Sequence, residues 1–416
     1  MAARRPASPP SEAERLLIDR IGSDGDGVGT RGDGTPAYAA LTLPGEEVLA
    51  RPVARRGAGW AVEAEVEAPS PERVPAPCRH FGPCGGCALQ HWADTPYAAW
   101  KELLAGGAPL RRTPPGARRR MQLAIERHGG AVRVGLHGRR SHAVVDMHEC
   151  VVLHPALFAA VQALRPVLAR LGALRRGGSA LFNLLDTGPD LLLRTDGELT
   201  SADRTVLAGY AAAARVPRVW WARNDDAPEP AAVTGPATVR FGSHAVHPPP
   251  GAFLQASREG EAAIVAAVLD AVPARLTGRS WAAELFAGCG TISLPLSARL
   301  RVVAWEGDRA AHAALRAAGG RVDARMRDLV RQPPSATELK GAAMIVLDPP
   351  WAGAAPVMPG LVASGVPRIV YVSCNPAALA RDEALLARAG YRRVATTAVD
   401  QFLWSARVEV VAVYDR

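Results

Sequence analysis

Three residues stand where short apolar runs end or reverse, and each could do chemistry. "RIVYVSCNPAAL" carries Cys374, "AAMIVLDPP" carries Asp348, and "RVEVVAVYD" carries Glu409. The runs are short and β-branched, as buried strands are. Pro376 and the pair Pro349–Pro350 cannot continue a ladder, so Cys374 and Asp348 fall on loops just past their strands. Ligands bind at that edge of an open α/β sheet. A thiol there can be a nucleophile or a metal ligand; a cysteine that merely fills space is usually buried in an apolar site. Glu409 is flanked by valines on a strand otherwise suited to burial. It either pairs with an arginine such as Arg407 or is a general base with a raised pKa.

A fourth feature is a ligand loop. "ELFAGCGTISL" puts Gly288 and Gly290 straight after another apolar strand. Glycines let the backbone approach a ligand and turn into a helix. Glu306 ends the next strand, 16 residues beyond Gly290, where an acid can hold two ribose hydroxyls. A full G-x-G-x-x-G is absent, since position 293 is serine. That favours S-adenosylmethionine over NAD, because no pyrophosphate needs cradling.

"CRHFGPCGGCALQHW" spaces Cys78, Cys84 and Cys87 as C-x5-C-x2-C, and Cys150 follows in "DMHECVVLH". A cytoplasmic chain rarely spends cysteines on disulfides, so the cluster points to a metal.

These residues need elements to place them. The 416-residue chain is too long for one compact core. Residues 12–68 alternate apolar and polar residues between glycine turns, as a small β-barrel does. Residues 69–250 mix strands and helices. "HPALFAAVQALRPVLARLGAL" is an amphipathic helix, and "ALFNLLDTGPDLLLRTDG" a hairpin turning at Gly188–Pro189. From 251 to 416 helices and strands alternate, which implies a parallel sheet. There Ser257 is placed to cap the helix "REGEAAIVAAVLDAV". No internal repeat is visible.

Residues 1–11 are expected to be a disordered tail. No apolar run approaches the roughly 20 residues of a membrane span, and the N-terminus has no signal-peptide core. A cytoplasmic, monomeric protein is expected. The formal charge is +9, and lysine stands only at 101 and 340, so all but two of the 49 basic residues are arginine. Arginines cluster at 51, 55 and 56, at 111–112, at 118–120 and at 175–176. Their planar forks suit phosphate, although a solvated surface needs no such reason.

Taken together, "FLQASRE", "ELFAGCGTISLPL", "VVAWEGD", "VLDPPWAG", "VSCNPAALARD" and "ARVEVVAVY" resemble, in order, the catalytic motifs of the RNA uracil-C5 methyltransferases. The cysteine box resembles that of the branch with an N-terminal TRAM domain and an iron–sulfur cluster. The resemblance covers almost the whole chain. It implies an OB-like, RNA-binding TRAM barrel, a central α+β domain with a [4Fe-4S] cluster, and a Rossmann-like methyltransferase domain. It assigns the cluster to Cys78, Cys84, Cys87 and Cys150. Four thiolates without histidine suit iron–sulfur, whereas structural zinc usually pairs two close C-x2–4-C units.

It also implies that S-adenosylmethionine lies on Gln255, Phe286, Thr291, Glu306, Asp328 and Asp348. Cys374 would attack C6 of a uracil in ribosomal RNA or tRNA, and Glu409 would remove the C5 proton. The chain departs from the family pattern at Trp351, where arginine is usual, and over Leu403–Arg407. Position 291 is threonine where asparagine is frequent. A same-fold methyltransferase of another nucleobase or a small molecule is the second reading, and a non-catalytic RNA-binding protein the third.

Overall fold

The computed structural model describes residues 12–416; the tail expected over 1–11 lies outside the described residues. Contacts divide the chain into two compact units. One holds residues up to Lys101 with His137–Ala143 and Trp404–Arg407; the other holds Glu102–Leu136, Val144–Leu403 and Val408–Arg416.

In the first unit, strands Glu14–Ile21, Gly27–Thr30, Pro36–Ala39, Glu47–Arg56 and Gly59–Ala68 close into a barrel. The sequence alternation is the reason. Along Glu47–Arg56 buried and exposed residues alternate over the first six positions, so Val48 and Ala50 join Leu16, Ile18 and Trp60 inside.

The second unit contains two large sheets. A seven-stranded sheet runs from Glu229–Val233 through Gly188–Thr195 and Gly177–Leu185 to Val144–Asp146. The expected hairpin is there, pairing Leu185 with Gly188. The expected amphipathic helix, Pro155–Arg170, buries Leu157, Val161, Leu164 and Leu168 with that sheet's core.

The site is carried by an eight-stranded sheet. Its order is Val322–Met326, Arg301–Glu306, Trp281–Leu285, Met344–Leu347, Arg368–Ser373, Glu409–Asp415, Arg392–Asp400 and Leu110–Arg112. The first five are mutually parallel, and Glu409–Asp415 is antiparallel to both its neighbours. Both faces are buried. Val302, Met344, Val370 and Val411 belong to one core, while Val303, Ile345, Ile369 and Val410 belong to the other. This is the near-continuous apolar strand of a doubly covered parallel sheet.

Two strands carry weak signals. Arg392–Asp400 is exposed along its first half and reads as polar. Leu110–Arg112, from the stretch assigned to the central domain, adds to the sheet by pairing parallel with it. Among the described residues no helix is long and apolar enough to cross a membrane.

Candidate active site

The five parallel strands end on one edge, and the chemistry-bearing residues follow from those ends. Trp281–Leu285 leads into Phe286, whose φ of 65° turns the chain sharply. Gly290 has φ 98°, and a Cβ there would stand 2.6 Å from Leu315 and 2.9 Å from Leu294. Only glycine lets the loop close onto the helix behind it. Thr291, half-buried, follows it.

Glu306 ends the neighbouring strand and reaches back to this loop. Its carboxylate accepts from the Gly288 N–H at 2.7 Å and from the Asp308 N–H at 2.6 Å. The acid and the glycine loop are therefore one structure. Asp328 is exposed and caps its own turn, accepting from the Val330 and Arg331 N–H groups at 3.0 and 3.1 Å. That turn adjoins Glu306, whose carbonyl accepts from the Arg327 N–H.

Asp348 and Glu409 are joined by two amides. Gln255 Nε2 donates to Asp348 at 3.0 Å, and Gln401 Nε2 donates to Gln255 Oε1 at 2.7 Å and to Glu409 at 2.9 Å. Glu409 is only 4% exposed. Burial raises its pKa, and the nearby Asp348 carboxylate adds to this, while the Gln401 amide opposes both. Burial likewise raises Asp348 against its bond from Gln255. One strand away from Asp348, Glu284 is buried, bonded by Ser293 and pushed up to about 8, chiefly by desolvation.

Cys374 is half-buried and lies between the last residue of Arg368–Ser373 and Asn375. Asn375 caps the helix Pro376–Arg388, accepting from the Ala377 and Ala378 N–H groups. The helix start thus lies beside the Cys374 loop. The Asn375 amide also donates to the Trp351 carbonyl at 2.9 Å. Behind it, Asp382 accepts from the Ala354 N–H and the Tyr371 hydroxyl, both at 2.8 Å. These bonds fasten the Asp348 loop to the Cys374 loop.

The arginine run 118–120 is not simply a phosphate-facing or solvated surface. Arg119 is 1% exposed; it pairs with Glu261, and its Nε donates to the Gln255 carbonyl at 3.1 Å. It holds the strand-like segment before the Ser257-capped helix, so burial and not phosphate explains it. Gln401, Glu284 and Arg119 carry no distinguishing spacing. Gln401 sits unmarked between Asp400 and Phe402.

In the first unit Cys78, Cys84 and Cys87 are half-buried, as is Cys150 in the second unit. The Gly86 N–H points at Cys84 Sγ at 3.4 Å. Burial pushes the Cys84 thiol up, the nearby Cys78 adds to this, and the Arg139 guanidinium opposes it. The donor chemistry suits a metal that replaces the proton. Among the described residues, however, no three His, Cys, Asp or Glu side chains are gathered as a ligand set.

Comparison with known proteins decides the family. No family model matches. An uncharacterized RNA methyltransferase of Caulobacter vibrioides is 40% identical over 429 residues, spanning 96% of this chain and 99% of that protein. The 23S rRNA (uracil(1939)-C(5))-methyltransferase RlmD of Pseudomonas fluorescens is 33% identical over 450 residues, spanning 99% and 96%. The chain belongs to the RNA uracil-C5 methyltransferase family. It is an S-adenosylmethionine-dependent RNA methyltransferase. The crystal structure of the Pyrococcus abyssi tRNA (uracil-54, C5)-methyltransferase, complexed with S-adenosyl-L-homocysteine, superposes with a TM-score of 0.72. At 20% identity over 96% of this chain and all of that one, it shows that this methyltransferase shares the fold.

Proposed function

We propose that the chain methylates C5 of a uridine in ribosomal RNA through a covalent Cys374 adduct, with Glu409 as base. The ribosomal substrate rests on the 33% identity to the Pseudomonas fluorescens enzyme, against 20% to the tRNA enzyme.

The reading is carried by the pairing of Arg368–Ser373 with Glu409–Asp415. Its last bonded pair is Ser373 with Val410, so Cys374 and Glu409 come next in the same register. A nucleophile and a carboxyl base at adjacent strand ends are what uracil C5 methylation needs. The Cys374 thiolate forms a bond to C6, and the electron pair moves onto C5 and O4. C5 then takes the methyl group from the sulfonium, whose positive charge is discharged. The Glu409 carboxylate takes the C5 proton, and the electrons left behind expel Cys374, restoring the ring. Each step is easier than direct attack by C5.

On this reading Gln255 would contact the methionine part of S-adenosylmethionine, and Asp348 would complete the site. Glu306 would hold the ribose, with Phe286, Thr291 and Asp328 lining the remainder. Glu306 and Gly288 are already mutually bonded, which makes the pocket rigid before it is filled. The target base must leave its stack to reach Cys374.

We read the N-terminal barrel as a TRAM domain that contacts RNA, and Cys78, Cys84, Cys87 and Cys150 as ligands of a [4Fe-4S] cluster with a structural role. No catalytic step passes through it. Anaerobic purification should give about four irons per chain, and serine at any of the four positions should lower this; full iron retention in all four variants would remove the assignment.

For the methyl transfer itself, Cys374→Ala should abolish incorporation of labelled methyl groups into RNA while leaving S-adenosylmethionine binding intact. Retained incorporation would refute the covalent route.

A further inference from the structure

Gln401 was not singled out by any motif, yet it makes three side-chain bonds in the site. Its Oε1 accepts from the Ala256 N–H at 2.9 Å. A backbone N–H can only donate, so the orientation of the amide follows: Nε2 must face the other way, toward Glu409 and Gln255. Gln255 then accepts through Oε1 and donates through Nε2 to Asp348. A single backbone N–H thus sets the direction of the whole amide chain.

A second observation shows that room is kept for Gln401. Gly260 lies inside the helix Arg258–Asp270, where glycine is unfavourable by about 1 kcal/mol relative to alanine. A Cβ at 260 would stand 2.7 Å from Gln401 Cβ and 2.9 Å from its Oε1. The helix tolerates glycine where the glutamine needs space.

We infer that Gln401 is a positioning residue which holds the Glu409 carboxylate ready for the C5 proton and ties it to the cofactor-side amide of Gln255. This rests on the proposed covalent uridine reaction and adds a residue to it. Gln401 Nε2 carries two hydrogens, one for Glu409 and one for Gln255, so one amide group serves both sides. Asp348 faces Glu409 across the amides; Glu284 adjoins Asp348 in turn, and Cys374 follows the residue paired with Val410. An amide donating to Glu409 favours its ionised form against burial and against Asp348.

The step that needs Glu409 is release, whereas attack and methyl transfer need Cys374. Gln401→Met keeps the bulk and removes all three bonds. Single-turnover methyl transfer should stay within about threefold of the parent, while steady-state turnover falls by about ten- to a hundredfold, as loss of a bond to a charged group implies. A methylated covalent RNA–protein species should accumulate and be seen by mass. The acid limb of the turnover profile should move to higher pH. Gly260→Ala, which crowds Gln401 and also the Ser257 Oγ that caps the helix, should show the same split more weakly. It decides the matter if Gln401→Met does not fold.

Unchanged turnover and pH profile would overturn the inference. So would equal loss of single-turnover and steady-state rates, the mark of a merely structural role. If the parent enzyme forms no covalent species with 5-fluorouridine RNA, the covalent reading itself fails, an outcome distinct from an unchanged Gln401→Met profile in an enzyme that does form it.

Discussion

Glu409 precedes Val410 and Cys374 follows Ser373, so the two residues flank the last pair, Ser373 with Val410, of one antiparallel ladder. One ladder therefore leads into both residues, and a shift of that ladder by one residue would move every side chain of the strand to the other face. The antiparallel direction matters. Glu409 begins its strand where Cys374 follows the end of its own, so both lie on the ligand edge.

Glu409→Gln should leave adduct formation intact and stop release. Glutamine keeps the shape but cannot take a proton, so turnover should fall by at least about a hundredfold. Radiolabelled methyl groups should stay on protein-bound RNA. Free methylated RNA at the parent rate would exclude Glu409 as base.

Activity should rise with pH through the raised range of Glu409. The acid must be ionised to act, and burial with Asp348 nearby shifts that ionisation upward. A log-rate plot should therefore show an acid limb above the ordinary carboxylate range. A flat profile from pH 5 upward would contradict a buried base.

Glu284 makes a separate statement about stability. Its pKa rises from 4.5 to about 8, so the folded chain keeps a proton that the unfolded chain releases over that window. The contribution is complete below about 4.5 and is lost as pH rises through about 8. Glu284→Gln should flatten the decline of melting temperature over that range and make the chain more stable at pH 8, by on the order of 2 kcal/mol. An unaltered slope in thermal scans would contradict this.

Tyr371→Phe removes the hydroxyl that bonds Asp382 and accepts from the Ala354 N–H. Loss of such buried bonds costs about 1–3 kcal/mol. Denaturant unfolding should show that loss, with binding of RNA unaltered because Tyr371 is fully buried.

Trp351 stands where the family usually has arginine, and it is 47% exposed. If its ring stacks on a base, Trp351→Ala should weaken RNA binding by about 1–3 kcal/mol and leave S-adenosylmethionine binding unchanged. Equal RNA affinity in the two proteins would assign the ring to surface packing.

Much of this was legible in the residues. Period-two alternation gave the barrel, and β-branched runs ending at Asp348 and Ser373 gave the ligand edge. Ser257 caps its helix through a bond from the Gly260 N–H, as its position implied. What escaped depends on long-range pairing. Leu110–Arg112 has three residues, too few for a period, and becomes a strand only beside Arg392–Asp400. Gln401 looks like any polar residue until Ala256, 145 positions away, fixes its amide. Arg119 belongs to a basic run by composition, and only the fold buries it against Glu261.

The most direct test uses RNA carrying 5-fluorouridine, incubated with anaerobically purified protein and S-adenosylmethionine. Fluorine does not leave C5 as a proton does, so the reaction should halt with Cys374 bonded to C6 and the methyl group on C5. Mass spectrometry should then show a methylated RNA–protein species whose peptide contains Cys374, absent in Cys374→Ala. Methylation of cellular RNA with no such species, at full S-adenosylmethionine occupancy, would contradict the covalent route.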